Sequence, residues 1–170
     1  MANHPNLVST PLTVVTSISE FSSLSSAVPE IVFEEDTTGT ETEGVLDFSR
    51  FHKVKRIVFM DYSFSYAYKV DISSLNELES VVVGTNSLTL NTDSYPLFSM
   101  ANRQFYLKNC PKLKTLQIGR FSFSDYSVCE MSALPSLETI DMGEVGRESY
   151  NFYYASLELK RIRLCAVRYA

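Results

Sequence analysis

Residues able to do covalent or metal chemistry are scarce in this chain. It has three Cys and two His, namely Cys110, Cys129, Cys165, His4 and His52. A catalytic thiol needs a lowered pKa, access and a nearby base. His4 lies in the N-terminal flank, and His52 sits beside the apolar run that begins at Val54. Cys110 falls at the place that Leu75 and Leu134 hold in a repeated apolar phrase, and Cys129 at that of Val70 and Phe152, so both read as small core residues. Cys165, aligned with Gly119, is the thiol expected at the surface. Gly143-x-x-Gly146 is no phosphate loop, because a nucleotide fingerprint needs more Gly and a helix to follow. Glu34-Glu35-Asp36, the densest acidic run, reads as a solvated face and not as a calcium site. No catalytic residue, cofactor or metal is expected, and the chain is read as a binding protein and not an enzyme.

What would position any functional surface is a repeat. Its first phrase is Leu or Val, two residues, an aliphatic, one residue, then an aliphatic or aromatic, often followed by Gly. Copies begin at Val28, Val54, Leu78, Leu113, Leu137 and Leu159, with starts 26, 24, 35, 24 and 22 residues apart. The interval of 35 equals 24 plus an insertion of 11 within Thr85 to Cys110, where Asn91-Thr-Asp-Ser-Tyr-Pro96 has turn-forming composition. A second phrase follows late in each unit: Leu46-x-Phe48-x-x-Phe51, Val70-x-Ile72-x-x-Leu75, Phe105-x-Leu107-x-x-Cys110, Cys129-x-Met131-x-x-Leu134 and Phe152-x-Tyr154-x-x-Leu157. Ser63-Phe64-Ser65 precedes Ser122-Phe123-Ser124 by 59 residues, the offset that also carries Val54 to Leu113 and Leu75 to Leu134.

Alternation makes the first phrase a short strand with positions 1, 4 and 6 inward, and the second a short extended segment facing it. Neither buries its apolar side alone. Stacked units pair strand with strand in parallel sheets and share one core. The expected fold is therefore mostly β, a solenoid of short parallel strands in about five to six turns of roughly 24 residues, with a right-handed parallel β-helix as the alternative. Residues 1–27 are expected to be a flank or cap, through Ile18, Phe21 and Leu24, and residues 28–170 the repeat region.

These phrases resemble the leucine-rich-repeat family, Leu113-x-x-Leu116-x-Ile118 being the closest match to its strand phrase. Ser-Phe repeats and Asn109-Cys110-Pro111-x-Leu113 are similar to those of large protist and bacterial repeat proteins. The resemblance covers residues 28–170 and implies a binding role. The family's Asn after the strand is met only by Asn86; the equivalent places hold Tyr62, Phe121 and Val145. Without an Asn ladder the turn must be held otherwise, and Gly84, Gly119 and Gly143 suggest flexible backbone as part of the answer.

Length and charge bound the rest. A chain of 170 residues with 45% hydrophobic content is long enough for one continuous core, and 10 Tyr and 11 Phe with no Trp must fill it. A net charge of -5 argues against general nucleic-acid binding. No apolar run approaches the roughly 18 residues of a membrane span. The start, Met1-Ala-Asn-His-Pro5, lacks the basic and apolar regions of a signal peptide, so a cytoplasmic protein is the simplest expectation. Acidic residues gather near the start and Lys160, Arg161, Arg163 and Arg168 near the end, which allows head-to-tail self-association. The last phrase stops unfinished, as an abbreviated cap or a truncated array.

The expected recognition surface is the outward face of the stacked strands: Arg56, Val58 and Met60; Ser80 and Val82; Thr115 and Gln117; Thr139 and Asp141; Arg161 and Arg163. The insertion, with Tyr95 and Phe98, is the second candidate. The expected partner is a protein or an extended peptide, bound by shape and buried area.

Overall fold

The computed structural model describes residues 13–35, 44–90, 102–144, 147–162 and 166–169. In chain order the elements are β1 (Thr13–Val15), α1 (Ile18–Ser23), β2 (Glu30–Phe33), β3 (Gly44–Asp47), β4 (Arg56–Phe59), β5 (Ala67–Ser73) and β6 (Ser80–Val83). There follow β7 (Gln104–Lys108), β8 (Thr115–Ile118), β9 (Val128–Leu134), β10 (Thr139–Met142), β11 (Ser156–Ile162) and β12 (Ala166–Tyr169). The protein is mostly β, with two sheets of parallel strands. The first has order β1-β2-β4-β6-β8-β10-β12 and the second β11-β9-β7-β5-β3. From β2 to β12 the chain visits the two sheets alternately, so each circuit adds one strand to both.

Registers in the first sheet reproduce most of the repeat spacing. Ile31 pairs with Ile57, Ile57 with Val81, Val81 with Leu116 and Leu116 with Ile140, the offsets of 26, 24, 35 and 24. The inward positions are buried: Ile57 with Phe59, Val81 with Val83, Leu116 with Ile118, and Ile140 with Met142. They join Leu46, Val70, Ile72, Phe105, Leu107, Cys129 and Met131 of the second sheet in one core. Each such side chain contributes about 1.5–3 kcal/mol by leaving water.

The rings of this core form two groups. Phe21, Phe33, Phe48, Phe51, Phe59 and Phe64 pack together, Phe33 and Phe59 stacking with centroids 4.3 Å apart. Phe105, Phe123, Tyr126 and Phe152 form the second, with Phe123 stacked on Phe152 at 5.0 Å. Between them lies an aliphatic layer of Leu78, Val81, Val83 and Leu88.

The last circuit departs from the expected register. The phrase from Leu159 to Leu164 does not continue the first sheet: β11 pairs with β9 of the second sheet, Leu157 opposite Cys129 and Leu159 opposite Met131. β12 takes the place beside β10, with Ile140 opposite Val167, an offset of 27 and not 22. Leu159 fits the opening of the first phrase and the middle of the second alike, and pairing across β9 decides for the second. Phe152 consequently aligns with Phe123 and not with Cys129.

Turns after the first-sheet strands are held by a column of small polar side chains. The Ser87 N–H donates to Ser122 Oγ at 3.1 Å, the Ser63 N–H to Ser87 Oγ at 3.4 Å, and the Ser122 hydroxyl to the Gly84 carbonyl at 2.5 Å. The Ser87 hydroxyl donates to the Met60 carbonyl. In the last copy Asn151 Nδ2 donates to the carbonyls of Gly119 and Ser122 at 2.7 and 3.1 Å. Residues on either side of this column take positive φ, as at Tyr62, Phe64, Asn86, Leu88, Phe121, Phe123, Tyr150 and Phe152. Left-handed backbone costs a non-Gly residue about 1–2 kcal/mol, offset at Phe64, Leu88 and Phe123 by complete burial of the side chain. Tyr150 occupies the place expected for Val145: its ring stacks on Phe121 at 5.0 Å, and the Phe121 N–H donates to the Ser149 carbonyl. Val145 lies outside the described residues.

Of the glycines there, Gly143 has φ +86°, but Gly84 and Gly119 serve close approach. A Cβ on Gly84 would lie 2.5 Å from the Asp61 backbone N, and one on Gly119 2.5 Å from the Gly84 carbonyl carbon. Successive turns nest backbone against backbone at this corner.

At the N-terminal end α1 packs across the core through Phe21, with Ile18 and Leu24 partly buried. Ser17 caps the helix by accepting from the Glu20 N–H at 3.2 Å, while the Glu20 carboxylate accepts from Thr16 N–H and hydroxyl at 2.7 and 2.8 Å. Those bonds hold the Glu20 carboxyl below its usual range. Arg50 donates to the carbonyls of Phe21, Ser22 and Leu24 at 2.5–3.1 Å and lies over the Phe51 ring at 4.3 Å. β1 precedes the helix as an edge strand of the first sheet, pairing Val14 with Val32.

Candidate functional site

The outer face of the first sheet carries the positions that alternate with the core. Parallel pairing aligns them in rows. One row is Glu30, Arg56, Ser80, Thr115 and Thr139; the next is Val14, Val32, Val58, Val82, Gln117, Asp141 and Arg168. The first row is tied together, Arg56 Nε lying 3.1 Å from Glu30 Oε1 and the Thr115 hydroxyl donating to Ser80 Oγ at 3.1 Å. In the second row four valines lie side by side on adjacent strands, followed by an amide and an acid. Val14 and Met60 are exposed, Val58 and Val82 half-buried, and Val32 is covered by its neighbours.

Nine residues expected on this face, from Arg56 to Asp141, are therefore brought together on it. Arg161 is not: it lies in β11 of the second sheet, because the last circuit has the other register. Arg163, Tyr95 and Phe98 lie outside the described residues. Val14, Val32 and Glu30 join the face in addition; β1 is too short for its alternation to be legible in sequence, whereas Glu30 and Val32 stand at the third and fifth places of their phrase.

The outer face of the second sheet is a further polar surface. Asp71, Tyr106, Glu130 and Glu158 share one row, with Lys108 and Lys160 in the next. Lys108 Nζ lies 2.6 Å from Glu130 and 4.2 Å from the Tyr106 ring centroid, and its hydrogen bond keeps the Glu130 carboxyl below the usual range. Turns beyond that sheet line a shallow groove through Asn76, Asn109, Pro111, Ala133 and Pro135.

The two described thiols are buried and free. Burial pushes the Cys110 thiol up to about 11 and that of Cys129 higher still, the reverse of activation. His52 is exposed. Among the described residues no group of three His, Cys, Asp or Glu side chains is placed to share a metal, and no helix is long and apolar enough to cross a membrane.

One buried polar cluster stands apart. Arg103 Nη1 lies 3.0 Å from Asp125 Oδ2, and Arg103 Nη2 donates to the carbonyls of Ser65 and Ala67 at 2.6 and 2.8 Å. Burial raises the Asp125 carboxyl against the pull of Arg103. The same carboxylate accepts the Leu90 N–H at 3.0 Å, and the Tyr126 hydroxyl donates to the Ala67 carbonyl at 2.5 Å. Leu90 and Arg103 bracket the 11-residue excess in the repeat spacing, so one carboxylate ties both ends of the insertion. Spacing could not disclose this cluster, since Arg103 and Asp125 occur once each and belong to no recurring phrase.

The fold and these surfaces define a protein of two parallel β-sheets about a shared core. No family model, curated protein or solved structure matches the chain.

Proposed function

We propose that the chain is a leucine-rich-repeat type solenoid serving as a protein-interaction module, with the outer face of the first sheet as its recognition surface. The observation that carries this reading is the valine row: Val14, Val32, Val58 and Val82 stand in register on four adjacent strands, flanked by Arg56, Ser80, Thr115 and Gln117. A flat apolar stripe beside groups that can donate and accept hydrogen bonds suits a protein or an extended peptide. Support for the repeat assignment comes from the recurring phrases, the matching registers and the serine column, which stands one residue after the family's Asn place. Binding in place of catalysis agrees with thiols that burial keeps protonated.

The test is capture of partners from lysate of the source organism by wild type and by a variant carrying Val58→Asp, Val82→Asp and Gln117→Arg, both first checked by circular dichroism. A protein retained by the wild type and lost from the variant supports the reading. Identical captures, or none, remove the face from consideration.

A further inference from the structure

We infer that the corner where the chain enters the first sheet docks on a second copy of itself, the two copies antiparallel about a two-fold axis between the β6 and β8 circuits. The segments entering β4, β6, β8 and β10 each carry one sign of charge, and the sign alternates. Lys53 and Lys55 are followed by Glu77 and Glu79, these by Lys112 and Lys114, and these by Glu138. Backbone pairing holds the bands in register. The Glu79 N–H donates to the Lys55 carbonyl at 2.8 Å, and the Lys114 and Glu138 N–H groups donate to the Glu79 and Lys114 carbonyls, both at 2.9 Å. Lys55, Glu79, Lys114 and Glu138 are exposed, and among the described residues no ion pair within the chain takes them up. Beside them Lys112 Nζ lies 2.9 Å from Glu77, and that bond, with the charges of Lys112, Lys55 and Lys53, holds the Glu77 carboxyl below its usual range.

Bands of alternating sign are their own complement when reversed, and this selects a second copy as the occupant. A two-fold axis along the stack would set every band against its own sign. So would an antiparallel pairing centred on one circuit, which puts β6 on β6 and β4 on β8. Centring between β4 and β6, or between β8 and β10, opposes unlike signs but pairs only two of these four circuits with each other. Centring between β6 and β8 pairs all four. Glu79 of each copy then meets Lys114 of the other, Glu77 meets Lys112, and Lys55 meets Glu138. The same operation sets Pro111 of each copy against Asn76 of the other, and both line the shallow groove at this corner, so surface beside the charges is covered as well. A two-fold operation also closes after two chains.

Sedimentation velocity over a range of concentrations tests this with wild type, Glu79→Lys, Lys114→Glu and an equimolar mixture of the two variants. The expected result is a wild-type dimer whose dissociation constant rises about tenfold or more in each variant alone, because like charges then oppose twice across the axis. The mixture should recover the dimer, since the new lysine of one chain meets the new glutamate of the other while repulsion within each chain is unchanged. A wild type that stays monomeric or grows beyond the dimer overturns the inference. Weakening by Glu79→Lys alone would place the axis between β4 and β6, weakening by Lys114→Glu alone between β8 and β10, and either result overturns it. So does indifference to both substitutions, or a mixture that fails to recover the dimer. Neither substitution touches the core or the valine row, so loss of dimer and loss of a partner on that row are read separately.

Discussion

Arg103 and Asp125 form an ion pair of 3.0 Å with side chains 4% and 0% exposed, 22 residues apart in the chain and ahead of two strands, β7 and β9, that pair with each other. Removing one member strands a charge in the core, which costs about 3–5 kcal/mol, whereas replacing both with apolar groups of similar size is often neutral. Arg103→Met and Asp125→Leu should therefore each lower stability by about that amount, and the double variant should recover much of the loss. Chemical denaturation of the four proteins measures it.

Deleting residues 91–101 should leave the fold intact. With 11 residues removed, Leu90 joins Asn102 as Asp125 joins Tyr126, and the interval of 35 becomes 24, the spacing of its neighbours. Shortening a connection by 11 residues changes closure entropy only slightly. Unchanged far-ultraviolet circular dichroism and a cooperative melt are expected; loss of the cooperative melt would show that the insertion supplies core.

Register in the last circuit separates two leucines that look alike in sequence. Leu116→Asp buries an unpaired carboxylate and should cost 4 kcal/mol or more, on the order seen for the severest core substitutions. Ile140→Asp should do the same. Leu159→Asp, measured at concentrations where the protein is monomeric, should cost less than about 1 kcal/mol because its position is open to solvent.

Thiol chemistry follows burial. In the native state iodoacetamide should leave Cys110 and Cys129 unmodified at pH 8 over times that label the denatured protein completely, as read by peptide mass spectrometry. The sign of the linked pH effect is fixed. Cys110 titrates near 9.0 unfolded and about 11 folded, so its contribution is full below 9.0 and is lost as pH rises through 11. The stability difference between wild type and Cys110→Ala should shrink over that interval.

Ser122→Ala removes the hydroxyl that serves both the Gly84 carbonyl and the Ser87 N–H, and should cost about 1–3 kcal/mol, the penalty for buried groups left unpaired. Ser49→Ala, at an exposed turn, is the control, and thermal melts of both variants decide it.

Much of the fold was legible because burial imposes a period. Inward residues such as Ile57, Leu116 and Ile140 recur at fixed intervals, and alternation placed Arg56, Val58 and Gln117 on the opposite face. Legibility failed where two patterns overlap, as at Leu159, whose spacing satisfies both phrases until pairing with Met131 chooses one. It failed again where the determinant is a single contact: nothing local in Arg103 or Asp125 announces the other. The Ser63 and Ser122 offset was visible, but their role was not, because it depends on Ser87 hydrogen-bonding between them.

The separation of ring clusters bears on how the molecule comes apart. Phe64 belongs to one group and Phe123 to the other, and the core layer between them, Val81, Val83 and Leu88, is aliphatic. Ladder hydrogen bonds and the Tyr126 and Arg103 bonds to the Ala67 carbonyl cross that layer, and cooperativity in a stacked array is limited by its weakest junction. Without those bonds, stress applied along the stack would concentrate at β6, yielding two aromatic blocks that each keep their own packing, so they are what holds all-or-none unfolding against melting in halves.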